Sequence, residues 1–348
     1  MHPPRPRLSS SLLPALGTCL LTGALSGCAA LGGGGASADG STAGSGSEVA
    51  PVEGRPAVVA AFYPLAWVSE QVAGDRADVV NLTTPGGEPH DLELGVQQTA
   101  EVAAADLVVF EGGFQPAVDA AVEQGGAAGP ASILDVTDVV ELQEYAGEHE
   151  EHADHEGEDH AGEEAAGEDH AHDESLDGLD PHFWLDPLRM AQLAEAVADR
   201  LSALDPAGSE AYAANAADVA ASLEDLDADY EAGLATCKRS TVVVNHEAFG
   251  YLTRYGLDFE PITGLTPDAE PTPGDLARLQ RLIRDEGITT VFYERLVSPQ
   301  TAEVLAADTG VRSDVLDPLE GLTDATASED YLSLMRANLV ALERAGGC

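Results

Sequence analysis

From Ala57 the sequence alternates short apolar runs with helix-length stretches, and from Ser240 it begins the same order again. "AVVAAFY", "ADVVNLTT", "DLVVFEG" and "SILDVTDVV" read as strands. "PLAWVSEQVAG", "VQQTAEVAAA" and "QPAVDAAVEQGG" between them read as helices, the first with proline at its start and glycine at its end. The second half offers strands "STVVVNH", "LDFEPITG", "ITTVFYE" and "VRSDVLDPL", with helices "EAFGYLTRYG", "DLARLQRLIRDEG", "SPQTAEVLAADTG" and "EDYLSLMRANLVALERAG". Strands separated by helices of this length imply mostly parallel sheets covered on both faces. The expectation is an α/β protein of two related lobes, 55–208 and 235–348, with "GSEAYAANAADVAASLEDLDADYEAGLA" between them. The proline-free part of that stretch, 209–234, is long for a globular helix and suits a rigid connector, the alternative being an ordinary bundle helix.

The first 54 residues supply no core. Arg5 and Arg7 precede the apolar stretch Leu12–Leu25, too short for an ordinary spanning helix, and "LSGC" follows, ending at Cys28. This resembles the lipobox of bacterial lipoproteins, which implies a signal peptide over 1–27 and lipid on Cys28, against a plain secretory signal as the alternative. The Gly/Ser/Ala-rich linker completing 28–54 would reach roughly 28 Å as a flexible coil, enough to hold a folded body just off a membrane. Cys19 would leave with the signal, so Cys237 and Cys348 remain, and an even pair in an exported protein reads as a disulfide rather than as free or catalytic thiols. Against 62 acidic side chains stand 16 basic ones, a net charge of −46, which argues against nucleic-acid binding and favours cationic partners. Part of that charge is equally explained by a salt-adapted source.

Outside one acidic tract the mature chain holds three histidines, His90 in "GGEPHDLEL", His182 in "LDPHFWLDP" and His246 in "VVVNHEAFG". Each falls where a loop leaves regular structure, and in open α/β sheets ligands collect at the carboxyl ends of strands. A single loop histidine is usually just exposed. All three at such positions point to one site. Neutral imidazoles suit zinc, a carboxylate can complete the tetrahedron, and "LDPLEGL" offers Asp317 and Glu320 for that role.

Taken together and in order, "GGEPHDLEL", "DPHFWLDP", "VNHEAFGYL" and "LDPLEGLT" resemble the solute-binding lipoproteins of bacterial zinc ABC importers, over the chain from about residue 56 onward. The resemblance implies two α/β lobes joined by a long rigid helix, with the metal between the lobes. It implies that His90, His182 and His246 are ligands and that Glu320 is the fourth, with Asp317 as second choice. Some relatives use a glutamate directly before the first histidine; Pro89 stands there, with Glu88 one position further back, so that role is not carried over. Manganese-binding relatives tend to have glutamate where His246 stands, which sides with zinc. The resemblance implies an extracytoplasmic, membrane-anchored Zn²⁺ receptor that hands its ion to an ABC importer permease, and not an enzyme; a monomer is expected.

Residues 147–175 hold six histidines, His149, His152, His155, His160, His170 and His172, among thirteen acids. Such a segment cannot bury a core and is expected to be a disordered loop that captures metal weakly and multivalently. Unperturbed imidazoles would lose that capture below about pH 6. The rivals are a manganese or iron receptor of the same fold, a zinc-dependent hydrolase, and a zinc buffer or adhesin without a transporter. No H-E-x-x-H helix or nucleophile motif supports the hydrolase.

Overall fold

The apolar runs of the first half become β1 (Ala57–Ala60), β2 (Asp78–Asn81), β3 (Leu107–Phe110) and β4 (Ile133–Asp135). They pair in parallel in the order β2-β1-β3-β4, with α1 (Tyr63–Ala73), α2 (Val96–Ala104) and α3 (Pro116–Gly125) as crossovers. β3 is buried along its whole length, as an inner strand of a covered parallel sheet must be. The computed structural model describes residues 54–125, 132–145, 176 and 178–348. The expected signal peptide, Cys28, the linker to residue 53 and the six tract histidines lie outside the described residues.

Next comes a two-residue antiparallel ladder of β5 (Gln143–Glu144) and β6 (Leu179–Asp180), then α4 (Pro187–Leu204) and α5 (Ser209–Leu234). Asp186 caps α4 by accepting from the Leu188 N–H at 2.9 Å, with Pro187 in the first turn where no amide is needed. α5 buries Tyr212, Ala216, Val219, Leu223, Leu226, Tyr230 and Leu234, a stripe at three- and four-residue spacing. Its 26 residues span roughly 39 Å. One end is fixed where the Tyr212 hydroxyl meets Asp205, itself paired with Arg76, and the other where the Tyr230 hydroxyl donates to Met335 O at 2.7 Å.

The second half forms β7 (Thr241–Val244), β8 (Asp258–Pro261), α6 (Pro273–Glu286), β9 (Thr290–Tyr293), α7 (Gln300–Thr309), β10 (Arg312–Val315) and α8 (Tyr331–Gly346). Its sheet is also parallel, in the order β10-β9-β7-β8. Numbered within its own half, that is the order of the first sheet read from the other edge, so the two lobes share one topology. One apolar core runs unbroken from the first sheet through α1, α4 and α5 to α8, and a smaller one lies between the second sheet, α6 and α7. Cys237 and Cys348 are joined by a disulfide. No helix among the described residues is long and apolar enough to cross a membrane.

Local departures from the sequence reading have identifiable causes. "EAFGYLTRYG" is not an α-helix: only Gly250–Tyr255 winds, as a 3-10 segment. Gly250 is pressed against Asp180, where a Cβ would meet Oδ2, and that close approach sets the path. "SILDVTDVV" stays extended for three residues, then Asp135 accepts from the Thr137 N–H at 3.0 Å and turns the chain. The β5–β6 pair is too short to show any periodicity.

Candidate metal centre

Two of the three histidines closely follow strands, and the third sits in a loop. His246 follows β7 by two residues, His182 follows β6 by two, and His90 sits in the loop between β2 and α2. That loop is held by Gln115 Nε2, which donates to Pro89 O at 3.0 Å, and by the Gly86 N–H, which donates across to Leu322 O at 2.7 Å. Glu320 comes from the loop between β10 and α8, where Leu319 adopts a left-handed φ of 61°.

The structure brings His90, His182, His246 and Glu320 together, with one possible ligand atom from each lying within 4.8 Å of the others. Glu320 Oε1 stands 3.3 Å from His90 Nε2, 3.5 Å from His182 Nε2 and 3.3 Å from His246 Nε2. His182 and His246 approach each other at 3.3 Å between their Nε2 atoms. His182, His246 and Glu320 are wholly buried, and only the His90 side chain, at 13% exposure, reaches solvent. Phe114 packs edge-on against the His90 ring and Trp184 against His182, which keeps water away from the cluster.

The opposite ring nitrogens are held from behind. Asp180 Oδ1 accepts from the His182 N–H at 2.9 Å and lies 2.8 Å from His182 Nδ1. Glu294, the first residue after β9, places Oε1 2.5 Å from His246 Nδ1. A carboxylate on Nδ1 keeps a proton there and leaves Nε2 free for a cation, the usual support of a metal-bound histidine. The sequence reading missed both acids. The available signal was an acid one residue beyond an apolar strand, in "VFYE", and an acid two residues before a histidine, in "LDPH".

Asp317, the second choice for the fourth position, lies outside the group of converging ligand atoms. Its Oδ1 accepts from the Leu319 N–H at 2.9 Å and its Oδ2 from Arg295 Nε at 3.1 Å, while its own N–H donates to Asn338. The turn it stabilises points Glu320 inward instead. Glu88 stands at the edge of the site, accepting from the His90 N–H at 3.2 Å with its other oxygen buried and without a hydrogen bond.

The electrostatics fit a cation. Burial alone would lower the His246 pKa, but Glu294 and Glu320 outweigh it and hold it well above the usual imidazole value. His182 is likewise raised, its burial outweighed by Asp180 and Glu320. His90 is lowered, chiefly by burial. Burial would raise Glu320, yet the hydrogen bonds from His182 and His246 hold it well below the carboxylate range. Glu88 is pushed up to about 8 by burial and by the nearby Glu320 charge. Glu320 Oε2 is buried without a hydrogen-bond partner, a donor atom left for a ligand.

The family profile described as "Zinc-uptake complex component A periplasmic" matches residues 58–345. The zinc-binding lipoprotein AdcA of Streptococcus pneumoniae is 35% identical over 296 residues, which is 84% of this chain and 56% of AdcA. This chain therefore spans little more than half the length of that relative. The high-affinity zinc uptake system protein ZnuA of Bacillus subtilis is 33% identical over 289 residues, 82% of this chain and 86% of that protein. Among solved structures, the Zn(II)-bound ZnuA-like domain of S. pneumoniae AdcA superposes with a TM-score of 0.67 at 32% identity, covering 85% of this chain and all of that domain. The duplicated parallel sheets, the long α5 and the four-residue cluster at the strand ends all lie within the matched span, and the chain belongs to the ZnuA family of zinc-uptake components.

Proposed function

We propose that this chain is an extracytoplasmic receptor that captures Zn²⁺ with His90, His182, His246 and Glu320 and delivers it to an ABC importer permease. The observation that carries this reading is the convergence of three Nε2 atoms on one Glu320 oxygen, with Nδ1 of two rings already held by carboxylates. Three neutral imidazoles and one carboxylate suit zinc better than the harder manganese, which prefers more oxygen donors. With Glu320 as fourth ligand no position remains for an activated water, so the site binds and releases without bond chemistry. The names of the similar proteins, zinc-binding and zinc-uptake components, support the same cargo.

The rest of the chain is assigned on this reading. Residues 1–27 are a signal peptide, Cys28 carries lipid, and the linker to residue 54 tethers a monomeric body. Its N-terminal lobe is 55–208, its connecting helix 209–234 and its C-terminal lobe 235–348. The six histidines of 147–175 provide weak accessory capture.

The test is a zinc titration against a competing chelator on protein lacking residues 1–54, with and without 147–175, beside His246→Ala and with manganese as control. One tight zinc per chain is expected with or without the tract. The variant should weaken it by more than the roughly hundredfold that losing a supporting group can cost. Loss of tight binding on removing the tract alone would overturn the core site, and a preference for manganese would change the cargo.

A further inference from the structure

The β5–β6 ladder closes the two ends of the acidic insertion into a stem, with Gln143 opposite Asp180, Glu144 opposite Leu179, and the Tyr145 N–H donating to Gly178 O at 2.8 Å. This stem lies against the C-terminal lobe, and two hydrogen-bonded tyrosines hold it there. The buried Tyr251 hydroxyl accepts from the Gln143 N–H at 2.9 Å and donates to Asp180 O at 2.7 Å, pinning both strands. Beyond that pin, the half-buried Tyr145 donates its hydroxyl proton to Glu247 Oε2 at 2.5 Å.

Both strands of the stem lead to the cluster. Asp180, on β6, holds the ring and the N–H of His182. Glu247, gripped from β5 through Tyr145, is the residue after His246, and its own N–H is tied to Gly264 O at 3.1 Å. The rings so braced are the pair whose Nε2 atoms stand 3.3 Å apart. If the stem leaves the C-terminal lobe, His182 is drawn from His246. The Tyr251 pin is fully buried and cannot open without exposing core, whereas the Tyr145 contact can.

We propose that the Tyr145–Glu247 hydrogen bond is a latch that sets how fast the captured metal leaves the site, with Tyr145 a positioning residue acting through Glu247 and the stem. The inference rests on the zinc-receptor reading. It adds a control over release held in the stem, outside the ligand set.

The experiment follows zinc release by stopped flow, chasing zinc-loaded full-length protein with excess chelator, for wild type, Tyr145→Phe, Glu247→Ala and the double variant. Tyr145→Phe removes one oxygen at a half-buried position, so the fold has no reason to fail. Dissociation should speed up roughly tenfold in it, the rate equivalent of one hydrogen bond to a charged group, with the association rate unchanged. Glu247→Ala should do the same, and the double variant should be no faster than either single, because each breaks the same contact. Glu247→Gln keeps an acceptor and should restore most of the slow release. Wild-type release from Tyr145→Phe would overturn the latch, as would a parallel loss of metal-free melting temperature and association rate. Absence of tight zinc in wild type would overturn the receptor reading itself, and the latch with it.

Discussion

Glu294 Oε1 stands 2.5 Å from His246 Nδ1, both residues lying just past the carboxyl ends of adjacent strands β9 and β7 and both buried. The parallel pairing of those strands brings the acid and the ring to the same edge of the sheet, so register alone aims the imidazole. Glu294→Gln should therefore keep the fold and weaken zinc by roughly ten- to a hundredfold, the range for a lost support of a ligand. Chelator competition reads the change; an unaltered affinity would mean that His246 is aimed by packing alone.

Proton release should accompany binding. Without metal, His182 and His246 are held above the usual imidazole value and Glu88 is pushed up to about 8, so the empty cluster favours bound protons. A dication at the cluster favours neutral imidazole and charged carboxylate, so protons leave as it binds and affinity falls as pH falls. Calorimetry in buffers of different ionisation enthalpy should show net proton release on zinc binding near pH 7, and less of it for Glu88→Gln. A binding enthalpy independent of buffer would contradict this charge arrangement.

Stability of the metal-free protein should run the other way. Glu88, Asp317 (raised to about 6, chiefly by burial), His182 and His246 all have folded pKa values above their usual ones. Each stabilises the fold fully below its unfolded value and loses that contribution as pH rises through its folded value. His90, lowered by burial, opposes them alone among the histidines of the cluster. The metal-free melting temperature should fall between about pH 5 and pH 8, while that of zinc-loaded protein rises. A metal-free protein that gains stability over this window would show that other groups dominate.

Asp317→Ala removes the acceptor of the Leu319 N–H and the partner of Arg295 without touching a ligand. Leu319 holds a left-handed φ that few side chains adopt unaided, so the turn carrying Glu320 should relax. The expected outcome is zinc affinity down by at least about tenfold, with one zinc per chain retained. Complete loss of the site would instead restore Asp317 as a ligand.

Cys237 and Cys348 close a loop of 111 residues at the edge of the second sheet opposite the cluster, just before β7 begins. Replacing both by serine should lower unfolding free energy by about 2–4 kcal/mol in urea and leave zinc stoichiometry unchanged. A change in affinity larger than in stability would reveal coupling between that edge and the metal.

The duplicated topology was legible because each strand is a short apolar run and each crossover has helical spacing, and 209–234 was legible because no proline interrupts it. The three histidines stood out because histidine is scarce and each follows a strand or precedes a helix. Asp180 and Glu294 did not, since an acid at a strand end looks like any other in a chain so rich in them. That Glu320 and not Asp317 faces the three imidazoles depends on the turn around Leu319, with its left-handed φ, which the sequence does not announce. The stem pairs Gln143 with Asp180 and Glu144 with Leu179, far apart in sequence, through two-residue strands, and no periodicity reports a pairing so short.

α5 packs on α1 and α4, which contact the first sheet, and on α8, which contacts the second, so one helix ties the two halves together. A pair of fluorophores on the far edges of the two sheets would report on that tie rather than on the cluster itself. The Gly86 N–H and Leu322 O bridge two loops beside the cluster, so a probe near Leu322 sits close to the ion's place. For anyone turning this chain into an optical zinc reporter, the loops at the seam are the place to put the first probe.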